Sequence, residues 1–402
     1  MKSELPRRIA ITIGALLIFR LGSHVPLAGL SPQMQAGLLL SSGAAARISI
    51  FALFIIPYLS VAIVTQLVAV VWGRLSALER SGEAGRRKIA RFTLILTLLL
   101  AAFQAFGVAS SLQDVPGLVT EPGAWFLLSA TATMVGGVFF LVWLSEQITR
   151  YGIGNGLALI LFVGIIVSLP ADISATFQLL GQGAISGSLL LLLAILAVVG
   201  VAVIVLVEGA RRNVPVQYAA RQAGTRLLPA RSSVLPIKIN SAGFLIPATV
   251  TPWIFYLPLV LATLAFGQTP TLAAAYDHIQ FARPVHMILG SIAVFVLAFI
   301  YTAYVLDPAR IAEVLHKRGG AITDVAPGEP TADHLDRVVT LTTFIGAVYL
   351  VAVSLIPEAL VAYGELPFLF GGGSALIVVC TILDIKTQVR GHSLTKPGGE
   401  LS

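Results

Sequence analysis

The chain has 402 residues, of which 57% are hydrophobic and only 11% charged, with a formal net charge of +7. Soluble domains carry roughly 25% charged residues, so water is excluded as the main solvent and the class left is a polytopic membrane protein. Cys380 is the only cysteine, which excludes an internal disulfide and any multi-cysteine metal site.

A bilayer core of about 30 Å takes roughly 20 apolar residues of helix, and ten stretches are read against that length. The first, Ile9 to Val25, lies near the N-terminus. More apolar spans follow it and it lacks a convincing small-residue cleavage site, so it reads as a retained helix rather than a signal peptide. It carries Arg20, a charge that helix packing or snorkelling accounts for. The second span, Ile48 to Trp72, contains Pro57; Phe92 to Leu112 and Trp125 to Ser145 follow without a proline. The fifth, Ile153 to Pro170, is entered through Gly152-Ile153-Gly154-Asn155-Gly156. Without the Lys and Ser/Thr of a phosphate loop, that run reads as a flexible turn into a membrane helix. Ser188 to Val207 is the sixth span. The seventh, Ala242 to Phe266, holds Pro247, Pro252 and Pro258. Val285 to Val305 and Val339 to Pro357 come next, and the tenth, Phe368 to Ile385, opens on Gly371, Gly372 and Gly373 and ends near Asp384 at the interface. Broken backbone at membrane depth is either a packing kink or the wall of a water-filled cavity, and three prolines in one span favour the cavity.

An even number of spans puts both termini on one side. All but three of the 26 Lys and Arg residues fall at the termini or in every second loop, the exceptions being Arg20, Arg47 and Arg283. Short loops rich in these residues stay cytoplasmic, so both termini are expected in the cytoplasm. The expected fold class is an all-α polytopic membrane protein with ten transmembrane helices. The longest polar stretches, Glu208 to Ser241 and Leu306 to Val338, are only loop-sized, so residues 1–402 form one membrane domain. Its N-terminal half, 1–207, and C-terminal half, 208–402, hold the spans on either side of the Glu208 loop. Divided five and five, the ten spans would give halves of opposite orientation, as in inverted repeats; 1–207 takes in the sixth span as well, up to the central loop.

Ionisable groups inside a membrane are costly and usually functional, and these spans are nearly empty of them. The six histidines are scattered, with no His-Glu-x-x-His spacing to hold zinc. Neither an enzyme nor a cofactor site is expected. What remains is a pathway lined by aliphatic side chains, which can gate by steric closure and dewetting.

Particular residues then narrow the reading. Arg47-Ile48-Ser49-Ile50-Phe51-Ala52-Leu53, Ile56-Pro57-Tyr58 and Glu83-Ala84-Gly85-Arg86-Arg87-Lys88-Ile89 occur in that order. They are followed by Trp143 to Thr149, Gly152 to Gly156, Arg212 to Ala219, Leu235 to Asn240, Pro327 to Ala332 and Phe370-Gly371-Gly372. This succession, from about Arg7 to Lys386, resembles the SecY family of protein-conducting channels.

The resemblance implies a clamshell of two five-helix halves in a bacterial inner membrane. Such a channel passes unfolded preproteins across and releases apolar segments sideways into lipid, with a lateral gate between the second and seventh spans. SecE-like and SecG-like small subunits are the partners it implies within the membrane, and a SecA motor or a ribosome at the cytoplasmic face. By position, the family's central pore ring falls on Ile55, Leu59, Leu161, Ile165 and Ile377, with Thr249 or its neighbour Ala248 as the seventh-span member. Each of the first two pairs is spaced i, i+4 and so shares a helix face. An external plug would lie around Leu38 to Ala46, including Leu39, Leu40, Gly43 and Ala44, in a stretch shorter than usual. Arg86, Arg87, Lys88, Arg211, Arg212, Arg318 and Arg337 are candidates for binding an acidic cytoplasmic partner; the alternative is that they serve only as the orientation signal. Ala326 stands where the family usually carries an arginine in the loop that engages SecA, and the tail after Lys386 is abbreviated. Two other readings stay open on the residues: a small-solute carrier, which would need a polar site at mid-membrane, and a divergent accessory or regulatory translocase homologue.

Overall fold

The computed structural model describes the chain apart from residues 1–3, 34–47, 219–220, 224–225, 229–230, 248–261, 263–266, 268, 365–370 and 395–402. The plug residues Leu38, Leu39, Leu40, Gly43 and Ala44, and the seventh-span candidates Ala248 and Thr249, lie outside the described residues. Among the described residues, seven helices are long and apolar enough to cross a membrane. The first span is met by α1 (Glu4–Gly22) and the second by the shorter α2 (Ile56–Val71). Most of the seventh lies outside the described residues. The all-α membrane class stands.

The chain divides into two compact units. One comprises Met1–Thr65, Leu75–Leu196 and Ile377–Ser402; the other comprises Gln66–Arg74 and Ala197–Leu376. In the first unit, α2 gives way to a short helix, α3 (Gly73–Arg80), and then come α4 (Glu83–Gln113), α5 (Ala124–Tyr151) and α6 (Gly156–Gly181). The buried side of α4 is Gly85, Thr93, Thr97, Ala101, Ala105 and Ala109, all multiples of four apart. Small residues at that spacing let backbones approach where lipid offers no hydrophobic drive for association, and α4 packs along α5. Phe92, Ile95, Leu98, Leu99, Phe103 and Phe106 point outward and are exposed. This inside-out polarity is what an apolar solvent selects. Thr97 hides its hydroxyl by donating to the Thr93 carbonyl at 2.8 Å. A cluster of Leu27, Leu30, Ala105, Leu118, Phe126 and Met134 closes one end of the unit.

The second span breaks at its start. Residues 51–55 form turns, with Phe54 in the left-handed region at φ 53°, and helix begins only at Ile56. Pro57 therefore sits in the first helical turn, where its missing N–H costs nothing, and does not kink the span. Pro170 and Pro357, by contrast, lie inside helices.

The second unit is where the polar stretches fold. After α7 (Gly187–Gly209) come β1 (Arg211–Tyr218), β2 (Arg221–Ala223), β3 (Arg226–Leu228) and β4 (Arg231–Lys238). Then follow α8 (Pro270–Ile279), α9 (Pro284–Val305), α10 (Pro308–Lys317), β5 (Gly320–Ile322) and α11 (Glu329–Gly364). Both stretches read as loops from sequence contribute strands: β4, β1 and β5 form one antiparallel sheet, in that order. Val214 and Val216 on β1, with Ile237, Ala312, Leu315, Ile322, Leu335 and Val339, build a small core of their own. Asn240 closes the base of the hairpin: its amide donates to Glu208 Oε1 at 2.7 Å and its carbonyl oxygen accepts from the Gly243 N–H at 3.0 Å. The last helix, α12 (Gly372–Leu394), runs on into the first unit.

Candidate pore constriction

All five described candidates for the constriction belong to the first unit. Ile55 is fully buried, and Leu59, Leu161 and Ile377 are buried while Ile165 is partly so. Ile55 precedes α2, yet its carbonyl accepts from the Leu59 N–H at 3.1 Å, so the pair does share a helical face. Side chains bring the three segments near one another. At Gly164, next to Ile165, a Cβ would come within 2.9 Å of the Phe54 ring, next to Ile55. One turn beyond Ile377, the Thr381 hydroxyl donates to the Ile377 carbonyl at 2.6 Å and reaches the Ala158 carbonyl of α6 at 3.5 Å. Aliphatic side chains held this way have no polar atom to offer water, so a constriction formed from them favours the dry state.

The turn that leads into α6 is far from loose. The Ile153 N–H donates to Thr12 Oγ1 of α1 at 2.9 Å, and Arg8 of the same helix reaches the Gly152 carbonyl at 3.4 Å. The Gly154 N–H donates to Gln388 Oε1 of α12 at 2.9 Å, and the Gly156 N–H to Thr149 Oγ1 of α5 at 2.9 Å. Asn155 then caps α6 by accepting from the Leu157 and Ala158 N–H groups. Gly154 needs its glycine for φ +86°, and at Gly156 a Cβ would meet the Ser145 carbonyl at 2.0 Å. The flexible turn expected from the glycines is a turn into a membrane helix, but one clamped by side chains from α1, α5 and α12.

A model of the SecY family matches residues 49–386. The chain is 40% identical to the protein translocase subunit SecY of Escherichia coli strain K12 over 405 residues, covering 96% of this chain and 91% of that one. The chain belongs to the SecY family. It is also 40% identical to the SecY subunit of Vibrio cholerae over 415 residues, covering 98% and 93%. Among solved structures it resembles a SecY protein whose plug domain stabilises the closed channel (TM-score 0.67, 17% identity, 96% and 92% covered). Sec61 in the canine ribosome-channel complex gives a TM-score of 0.65 at 16% identity, with the same coverage. These two likenesses concern the fold.

In this SecY-family chain the basic candidates are exposed, and within the second unit Arg211 and Arg212 lie apart from Arg318. Arg86, Arg87 and Lys88 lie in the first turns of α4, where Arg87 pairs with Glu83 at 3.2 Å. Arg211 and Arg212 start β1, whereas Arg318 lies two residues before β5, which pairs with the far end of that strand. At about 3.3 Å per residue, those two positions are on the order of 20 Å apart. Arg337 is exposed on α11, and Ala326 is exposed in the preceding turn, its carbonyl accepting from Thr331 Oγ1 at 2.8 Å. Arg20 ends α1 and its guanidinium reaches Ser23 Oγ at 3.5 Å.

One polar pair escaped the sequence reading. Glu358, just past the end assigned to the ninth span, accepts at Oε1 from the Ala282 N–H at 3.0 Å and contacts His286 Nδ1 at 2.5 Å. Both side chains are about nine-tenths buried, beside a cavity of about 300 Å³ that Met287, Gly290 and Leu355 also line. The spans are therefore less empty of ionisable groups than composition implied. The sequence signal was weak: a lone histidine at the start of one span and a lone glutamate at the end of another.

Proposed function

We propose that this chain is the channel subunit of a Sec-type protein translocase in a bacterial inner membrane, with both termini cytoplasmic. It passes unfolded preproteins through an aliphatic constriction and lets apolar segments leave sideways into lipid. The observation that carries the reading is the 40% identity to translocase subunits over 96% of the chain. It is supported by the burial of Ile55, Leu59, Leu161 and Ile377 on three neighbouring segments. Sorting of segments follows from transfer energies: Leu, Ile or Phe gains about 0.3 to 0.6 kcal/mol at the membrane centre, whereas a charge costs about 2.5 to 3.5. The two halves, 1–207 with six spans and 208–402 with four, move apart to open the channel.

SecE-like and SecG-like subunits flank this channel, and a SecA-type motor or a ribosome, the partner named for the related Sec61 complex, docks on the basic face. Ala326 lacks the five-donor guanidinium that would grip a carboxylate, so the motor's grip on that turn is weak here and falls to Arg318 and Arg337.

The double change Ile55→Asn and Ile165→Asn tests the constriction. Polar side chains wet it, so resting ion conductance in planar bilayers rises and precursors with weakened signals are exported more readily. Unchanged conductance in a correctly inserted protein overturns the ring.

A further inference from the structure

Two features singled out in the sequence, the Gly152–Gly156 turn and the lone acid Asp384 in the last span, meet at one side chain. Gln388 accepts the Gly154 N–H on Oε1 at 2.9 Å and donates from Nε2 to Asp384 Oδ2 at 3.2 Å. An amide can be built either way round, but here each end has a partner that fixes it: a backbone N–H only donates and a carboxylate only accepts.

We propose that Gln388 is a positioning residue, and that the Asp384–Gln388–Gly154 relay sets the register of α12 against the turn that starts α6. The contact is specific in both directions. Gly154 holds φ +86°, which favours glycine, and a Cβ there would sit 2.9 Å from Leu159 Cδ1 and 3.5 Å from Ile385 Cγ1. The turn itself is fixed to α1 and α5 by Thr12 and Thr149, so the relay ties α12 to a frame rather than to another mobile loop. Farther along, Thr381 gives α12 only the long 3.5 Å contact to α6, its short bond being to its own helix. Gln388 therefore ties α12 to the α6 turn by a hydrogen bond shorter than the Thr381 contact. Eleven residues of helix, roughly 16 Å at 1.5 Å per residue, separate Gln388 from Ile377, close enough for a rigid helix to pass its register on. The consequence for the channel rests on the constriction proposed above: a loosened α12 withdraws Ile377 from the ring and the resting seal weakens.

The experiment uses the full chain with its membrane partners in proteoliposomes, in a Cys380→Ser background. Nitroxides at Arg150→Cys on α5 and Thr387→Cys on α12, both exposed positions, report the distance between the two helices. The parent gives one narrow distribution. Gln388→Leu broadens it and raises resting conductance about fivefold, the population shift expected when one ordinary hydrogen bond is lost. Gln388→Glu alone also broadens it, because the new carboxylate faces Asp384 one turn away. Adding Asp384→Asn to Gln388→Glu restores the narrow distribution and the seal, since the asparagine now donates and the glutamate still accepts from Gly154. A purely space-filling role would not show that rescue. If Gln388→Leu does not accumulate, Gln388→Asn, one methylene shorter, withdraws the acceptor and takes its place. A narrow distribution in the variant that removes the acceptor, or no rescue by the swapped pair, overturns the relay. Broadening and rescue without any change in conductance upholds the relay and overturns the place of Ile377 in the ring.

Discussion

Two polar clusters sit inside this apolar protein, and they solve the same problem by different chemistry. Around Gly152–Gly156 the first unit uses mostly neutral groups: hydroxyls, amides and backbone N–H, each bond modest and the set redundant. In the second unit one carboxylate, Glu358, serves both a backbone N–H and His286, with both side chains about nine-tenths buried. A neutral network spreads its stabilisation and loses little when one member goes. An ionisable pair concentrates it, because removing one partner leaves the other stranded out of water.

The largest expected effect breaks the concentrated cluster. Glu358→Ala takes the acceptor from Ala282 and His286 together and should destabilise the fold by about 3 to 5 kcal/mol, seen as a lower unfolding temperature of purified complex in detergent. Glu358→Leu with His286→Phe should recover most of that loss, since an apolar pair has no charge to strand. Equal losses for the single and double changes would mean that the pair is packed rather than bonded.

A smaller effect tests whether the neutral cluster depends on close approach. Gly156→Ala places a Cβ against the Ser145 carbonyl, and overpacking of this kind costs about 1 to 3 kcal/mol. Limited proteolysis at the turn should speed up, whereas Asn155→Ala, which removes the cap of α6 and no packing, should cost about 1 kcal/mol. If Gly156→Ala is neutral, the α5–α6 junction can open and the turn is not clamped by packing.

The smallest effect sharpens the contrast by taking charge to the surface. Glu83 and Arg87 form an ion pair at 3.2 Å, with both side chains more than two-thirds exposed. Glu83→Gln should move unfolding by less than about 0.5 kcal/mol, and less still in high salt. A loss as large as that of Glu358→Ala would show that this face is covered in the assembled translocase.

Much of the fold was legible because hydropathy is a local sum. Phe92 to Leu112 and Trp125 to Ser145 needed no partner to be read as spans, and helices cover both, extended into the polar flanks at Glu83 and Tyr151. The second span was misread at its start because apolar composition does not distinguish the turns of residues 51–55 from helix. The sheet was hidden by its own chemistry. β1 buries only Val214 and Val216, and Pro215 and Pro236 interrupt what would have been an alternating pattern. The ring candidates came from resemblance, and their i, i+4 spacing was the only geometric sign of them in the chain.

By itself the sequence determined the solvent, nine of the span positions among the described residues, and the family, since all three follow from residue types summed or matched along the chain. Only tertiary structure decided where the polar groups inside the membrane find partners. Glu358 meets Ala282 across 76 residues and Gln388 meets Gly154 across 234. Nothing in a local window encodes either separation. In an apolar solvent each such group is costly until it is paired, so pairing is settled by which helices end up side by side, and that is a property of the packed fold.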